Sequence, residues 1–149
     1  MRIYISGAFC GSKNWEAARA RYEHLGVLLR EQGFSVYLPH NHTDPIQSAE
    51  LSSRAVFEQD MEEIYKSNTL LALLDEPSHG VGAEVALALK AGMPVFGACS
   101  RSQTVSRFIQ GLLEVSETGE FFEYDNLDEV VEKVIETMSA KRVALYESA

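Results

Sequence analysis

Basic residues are scarce in this sequence. Its 149 residues hold 13 Lys and Arg against 22 Asp and Glu, a formal charge of −9. A chain this acidic lacks the positive surface that binding to nucleic acid or to an anionic membrane requires, so neither partner is expected. Any anionic ligand must then be held by local donors. Cysteine is scarcer still: Cys10 and Cys99 are too few for a disulfide framework and lack the paired spacing of a metal site. A reducing, cytoplasmic setting is the expectation. No segment reaches the roughly 20 apolar residues of a membrane span, and the opening MRIYISGAF lacks the long apolar stretch of a signal peptide. Repeats, linkers and low-complexity tracts are absent as well. Residues 1–149 read as one domain, 46% hydrophobic and large enough to bury a core.

What the sequence does have is alternation. Short apolar or β-branched runs (RIYI at 2–5, SVYL at 35–38, TLLALL at 69–74, MPVFGA at 93–98, FFEY at 121–124) are separated by longer amphipathic stretches. Helices are expected over about 15–32, closed by Gly33, over 52–67, from about Gly82, from about Thr104, and over 127–139. Strands joined through helices run parallel with right-handed crossovers. The expected fold is therefore α/β, a single doubly wound five-stranded parallel sheet of Rossmann or flavodoxin-like type with helices on both faces. Ligands of such sheets bind beyond the carboxyl ends of the strands, beside the point where strand order reverses. SGAFCGS, PHNHTD, DEPSHGVGAE and CSRSQTVSR are the segments that fall there.

Each of these carries a candidate chemistry. GAFCGSK lacks the spacing and the Lys-Ser/Thr ending of a triphosphate loop, and reads instead as a glycine turn letting a ligand approach the first strand at Gly7. His40, His42 and Asp44 could contribute to a metal site, but catalytic zinc takes three protein ligands with a supporting shell and no third histidine is well placed. No metal and no cofactor are expected. In the second helix Val56, Phe57, Met61 and Ile64 mark a buried stripe, with Asp60 close beside it. A carboxylate there is either capped by partners or functional. PSHGVGAE is the strongest signal. Gly80 and Gly82 allow a sharp turn, Ser78 and the following amides can donate to an anion at a helix N-terminus, and Glu84 falls in the first helical turn. An acid there can simply complement the helix dipole, worth about 0.3–1 kcal/mol. Beside anion-binding amides it can also meet a carbon that becomes cationic, as in glycosidic cleavage.

IYISGAF, EQDMEEI and PSHGVGAEVALALKAGMPV together resemble the nucleoside 2-deoxyribosyltransferase-like superfamily, most closely its 2'-deoxynucleoside 5'-monophosphate N-glycosidases. The resemblance is gapless from Glu58 to Gly92 and weaker from Ile3 to about Gly111. It implies Glu84 as a nucleophile forming a covalent deoxyribosyl intermediate, Tyr4 as the phenol that holds it, and Asp60 as the acid that assists at the sugar and departing base. It further implies phosphate contacts at Ser78 and Gly80, and a homodimer in which Ser106 reaches the neighbouring subunit's site; the turn glycines Gly7 and Gly82 are the remaining substrate-binding candidates.

The chain departs from those hydrolases at Ala8 and Cys10, where a serine and an arginine serve the phosphate; Lys13, Arg101 or Arg107 are the available replacements. Ser78 stands where the free-nucleoside transferases carry an aspartate, and a neutral hydroxyl can receive a phosphate that an aspartate would repel. The expected activity is hydrolysis of nucleoside 5'-monophosphates to free base and sugar phosphate. Alternatives are a deoxyribosyltransferase that exchanges bases and a nucleotide-binding module without turnover. The cytokinin-activating phosphoribohydrolases would need a Pro-Gly-Gly-x-Gly-Thr run that SHGVGAE lacks. His40 and His42 fall on the base side, and a histidine can donate or accept there.

Overall fold

A computed structural model describes residues 1–9, 14–44 and 47–147, with backbone alone for 141–147. Five strands, β1 (Arg2–Gly7), β2 (Ser35–Tyr37), β3 (Thr69–Leu73), β4 (Val95–Ser100) and β5 (Gly119–Tyr124), alternate with five helices. The helices are α1 (Trp15–Glu31), α2 (Ser53–Tyr65), α3 (His79–Lys90), α4 (Arg107–Val115) and α5 (Leu127–Glu147). Every strand pairing is parallel and the order is β2-β1-β3-β4-β5. The order therefore reverses between β1 and β3, as a doubly wound sheet requires.

The sheet is buried on both faces, which is why β3 reads as an unbroken apolar run with all five residues buried. One face packs Ile3, Ile5, Leu71 and Phe96 against α1 and α5. The other packs Tyr4, Leu70, Ala72 and Val95 against Ile64 of α2, Val81, Val85 and Ala88 of α3, and Leu113 of α4. α1 begins where the Asn14 side chain accepts the Ala17 N–H at 3.1 Å, and its exit turns at Gly33, whose φ of +83° favours glycine. Beyond β3, buried Asp75 accepts the Ser100 N–H at 2.7 Å and the Tyr124 hydroxyl at 2.8 Å, tying the ends of three strands together.

Two helix starts differ from the sequence pattern. α3 begins at His79 and not near Gly82, because Ser78 caps it by accepting from the Val81 N–H. α4 begins at Arg107 rather than Thr104, leaving Ser106 at its N-cap. In α2 only Ile64 is fully buried, and Phe57 is 58% exposed, so Phe57 is not part of the buried stripe.

Candidate active site

The early start of α3 changes the meaning of its acid. Gly80 and Gly82 lie inside the helix with ordinary negative φ, so they are not turn glycines; they leave its first turn bare of side chains. Glu84 falls beyond that first turn, which contains no acidic residue. Interaction with the helix terminus fades within a turn, so dipole complementation does not account for the carboxylate. Its partners lie across the sheet. Side chains alternate along a strand, so Tyr4 and Ser6 of β1 share the face that α3 covers. The Tyr4 hydroxyl donates to Glu84 Oε1 at 2.9 Å and the Ser6 hydroxyl donates to Oε2. Tyr4 itself is fully buried and stacks on Tyr37, with ring centroids 5.5 Å apart.

This clamp sits in a medium that opposes charge. Burial pushes the Glu84 carboxyl above the ordinary carboxylate range; the hydrogen bonds from Ser6 and Tyr4 pull it back, and nearby Asp60 pushes it further up. Asp60, on α2, is also raised by burial, against the Thr43 hydrogen bond and the charge of His42. The Thr43 hydroxyl lies 3.1 Å from Asp60 Oδ1. The Tyr4 phenol is held far above its normal value, first by burial and then by Glu84, and stays a donor. Two carboxyls therefore share one site with different support: Glu84 has two hydroxyl donors that favour its anion, Asp60 one.

A cavity of about 460 Å³ opens over the carboxyl ends of β1 and β2, lined by Gly7, Asp60, Ser78, Gly80 and Glu84 among others. It lies next to the strand-order reversal between β1 and β3. Gly7 serves a second purpose there: a Cβ would stand 2.7 Å from Cε1 of Tyr22, so the close approach of this ring to the end of β1 demands glycine. Gly82 and Ser106 are not in this cavity. They line a neighbouring one of about 510 Å³ between α3 and α4, which shares Ser78 and Val81 with the first. The Ser106 side chain is exposed and makes no capping hydrogen bond.

The proposed replacement cations are not assembled here. Among the described residues no Lys or Arg lines either cavity. Arg101 is engaged by Asp125 and Glu129 at the far edge of the sheet, and Arg107 is exposed on α4. Cys10 and Lys13 lie outside the described residues. The histidines of PHNHTD diverge: His40 is buried with Nε2 2.8 Å from Glu23 Oε1, while His42 is exposed and stacks on Tyr37 at 5.0 Å. Among the described residues no group of three or more His, Cys, Asp or Glu is placed to hold a metal ion. None of the described helices is long and apolar enough to cross a membrane.

Sequence reasoning missed Ser6 and Thr43. Ser6 was within reach of it, since a hydroxyl two residues after Tyr4 in a buried strand must face the same way. Thr43 was not, because its contact with α2 depends on how the loop after β2 folds back. The resulting arrangement is a half-buried, doubly hydrogen-bonded carboxylate, a second carboxyl whose proton affinity is raised, and a glycine-rich helix N-terminus on one cavity wall. Such a set can bind an anionic group and attack an electron-poor carbon beside it.

Residues 3–141 match the family model described as Nucleoside 2-deoxyribosyltransferase. The chain belongs to this family. A relative from Thermofilum pendens is 30% identical over 137 residues, covering 90% of this chain and 92% of its own. That protein carries the provisional name 2'-deoxynucleoside 5'-phosphate N-hydrolase 1. Among solved structures, a conserved protein from Enterococcus faecalis superposes with a TM-score of 0.74 at 20% identity, covering 92% of this chain and 98% of that one. The CMP N-glycosidase of Clostridium botulinum superposes with a TM-score of 0.66 at 21% identity, covering 90% and 97%. The likeness to these two structures is one of fold.

Proposed function

We propose that this chain is an N-glycosidase that hydrolyses the bond between base and sugar in 2'-deoxynucleoside 5'-monophosphates. The observation that carries the reading is the clamp on Glu84: two hydroxyls from β1 hold a half-buried carboxylate on the wall of a cavity that also contains Asp60. The name of the Thermofilum pendens relative supports the monophosphate.

In this reading one Glu84 oxygen attacks the anomeric carbon while the bond from that carbon to the base nitrogen breaks, its electron pair leaving with the base. Asp60, entering protonated, gives its proton to the departing base. Water then attacks the same carbon; the ester bond to Glu84 breaks, its electrons return to the carboxylate, and Asp60 takes the proton from the water. Both carboxyls are suited to this by their raised proton affinity. The 5'-phosphate is received by the amides of the first turn of α3, beside the Ser78 hydroxyl and bare Gly80.

The active unit in this reading is a cytoplasmic homodimer. Exposed Phe57, Tyr65, Phe108 and Val115 on α2 and α4 supply the apolar area that an interface needs. Ser106, exposed with its hydroxyl uncapped, is then contributed to the partner's phosphate.

The second reading, base exchange, is favoured by the family match itself. It uses the same intermediate and differs only in whether water or another base reaches the anomeric carbon. Incubation of the protein with a deoxynucleoside monophosphate and a competing free base separates the two. Free base and sugar phosphate alone support hydrolysis, a new nucleotide overturns it in favour of transfer, and no base release overturns both.

A further inference from the structure

The clamp on Glu84 has a counterpart on the second carboxyl. Thr43 lines the same cavity, in the loop after β2, and its hydroxyl oxygen lies 3.1 Å from both Asp60 Oδ1 and the Pro39 carbonyl. A hydroxyl has one hydrogen to give, so the two acceptors compete for it. The Pro39 carbonyl is already served: the backbone N–H groups of His42 and Thr43 donate to it at 2.9 and 2.8 Å. A carbonyl oxygen has two lone pairs, and both are taken. The hydrogen of the Thr43 hydroxyl therefore goes to Asp60 Oδ1.

That contact makes the two oxygens of Asp60 unequal. Oδ2 has no hydrogen-bond partner among the described residues. The unpartnered side-chain atoms that are fully enclosed there are the Tyr37 hydroxyl and His40 Nδ1, so Oδ2 is an accessible oxygen on a residue that lines the cavity. In a protonated carboxyl one oxygen carries the hydrogen and the other still accepts. With Thr43 donating to Oδ1, the hydrogen of the acid falls on Oδ2, and the Thr43 contact persists when the carboxyl is ionised. A side chain that serves as acid and then as base needs this arrangement, because its proton comes and goes at one oxygen while the other is held. Glu84 on α3, Tyr4 on β1, Tyr37 on β2 and His42 in the same loop also face Asp60 and bias its charge. The hydrogen bond comes from Thr43.

We propose that Thr43 is a positioning residue: it fixes Asp60 Oδ1 and so presents the exchangeable proton, on Oδ2, to the departing base. The proposal rests on the N-glycosidase reading for the reaction it serves. In the first step the Oδ2–H bond breaks and an N–H bond forms on the base. In the second, the proton that water loses forms a new Oδ2–H bond. Thr43 keeps its own hydrogen throughout and acts only through Asp60.

The test sets Thr43→Val, which keeps the branched shape without the hydroxyl, beside Thr43→Ser, which keeps the hydroxyl. The loop's backbone bonds to Pro39 involve neither side chain. Base release is measured on whichever of dAMP, dGMP, dCMP and dTMP the wild type turns over fastest. Thr43→Val should lower kcat about two- to tenfold and leave KM within about twofold of wild type. The hydroxyl favours the Asp60 anion, so its loss raises the proton affinity of Asp60. The basic limb of the kcat profile, where Asp60 has lost its proton, should therefore move to higher pH. Thr43→Ser should keep both rate and limb close to wild type. Where Thr43→Val shows no melting transition, Thr43→Ala is read in the same way. A folded variant without the hydroxyl whose basic limb stays in place, whatever its rate or melting temperature, would overturn the proposal, as would a Thr43→Ser protein that behaves like Thr43→Val. NMR titration of isotope-labelled aspartate carboxyls, with Asp60 assigned by its loss in Asp60→Asn, reads the same displacement without turnover. If no monophosphate releases base, the N-glycosidase reading fails, and this titration still decides the contact: a midpoint raised in Thr43→Val supports the hold on Asp60, and an unmoved one overturns it.

Discussion

Replacing Tyr4 by phenylalanine removes one hydroxyl and little else, since the ring stays stacked on Tyr37 in a fully buried position. What is lost is the 2.9 Å hydrogen bond to Glu84 Oε1. A hydrogen bond to a charged group contributes about 1.5–3 kcal/mol. At about 1.4 kcal/mol per factor of ten, kcat/KM should fall about ten- to 150-fold. Ser6→Ala removes the donor to Oε2 and should act on the same scale. The two share one carboxylate, so the double variant should depart from the product of the single effects. The direction of a second effect is also fixed. Both hydroxyls favour the Glu84 anion against burial, so removing either raises its pKa. The acid limb of the rate profile, where Glu84 is protonated and cannot attack, should then move to higher pH in each variant. Stopped or continuous assay of base release across pH, with melting curves confirming the fold, gives both readouts. A folded Tyr4→Phe protein with unchanged rate and an unmoved acid limb would refute the idea that the clamp prepares Glu84.

Glu84→Gln should abolish turnover and raise the melting temperature at pH 7. Burial lifts the folded-state pKa of Glu84 above its ordinary 4.5, so its stabilising contribution is fully present below that value and is lost as pH rises through the folded pKa. The advantage of the glutamine variant should accordingly narrow toward pH 4; melts showing it less stable at pH 7, or a gap constant with pH, contradict this. Ser106→Ala should weaken binding of monophosphates more than of free nucleosides. Mixing that chain with a Glu84→Gln chain should restore activity, because one site of the mixed dimer then holds both native residues; no recovery in a dimer shown to exchange subunits means that Ser106 does not act across an interface.

Much of the fold was legible because its signals are local. Alternating apolar runs and amphipathic stretches marked all five strands and helices, and parallel order followed from the length of the connections. Helix ends were less legible. The Ser78 cap recruits His79, Gly80 and Val81 into α3, and a glycine pair that reads as a turn becomes a bare helix N-terminus. That shift moves Glu84 out of the first turn and removes the simplest bland account of it. Tyr4 and Glu84 are 80 residues apart, and their hydrogen bond was expected through resemblance and not through spacing. His40 was ambiguous for a different reason: which of its nitrogens donates depends on Glu23, 17 residues away on α1. Phe57 misled because helical spacing does not say which apolar residues a neighbouring surface will cover, and α2 seats only its C-terminal end on the sheet.

The central claim is that Glu84 becomes covalently bonded to the sugar. A 2-fluoro-2-deoxynucleoside 5'-monophosphate slows breakdown of such an intermediate by destabilising its cationic transition state. After incubation and proteolysis, peptide mass spectrometry should find the fluorinated sugar phosphate on the peptide that contains Glu84, and none in the Glu84→Gln protein. The same mass found on the Asp60 peptide, or base release continuing in Glu84→Gln, would contradict the account.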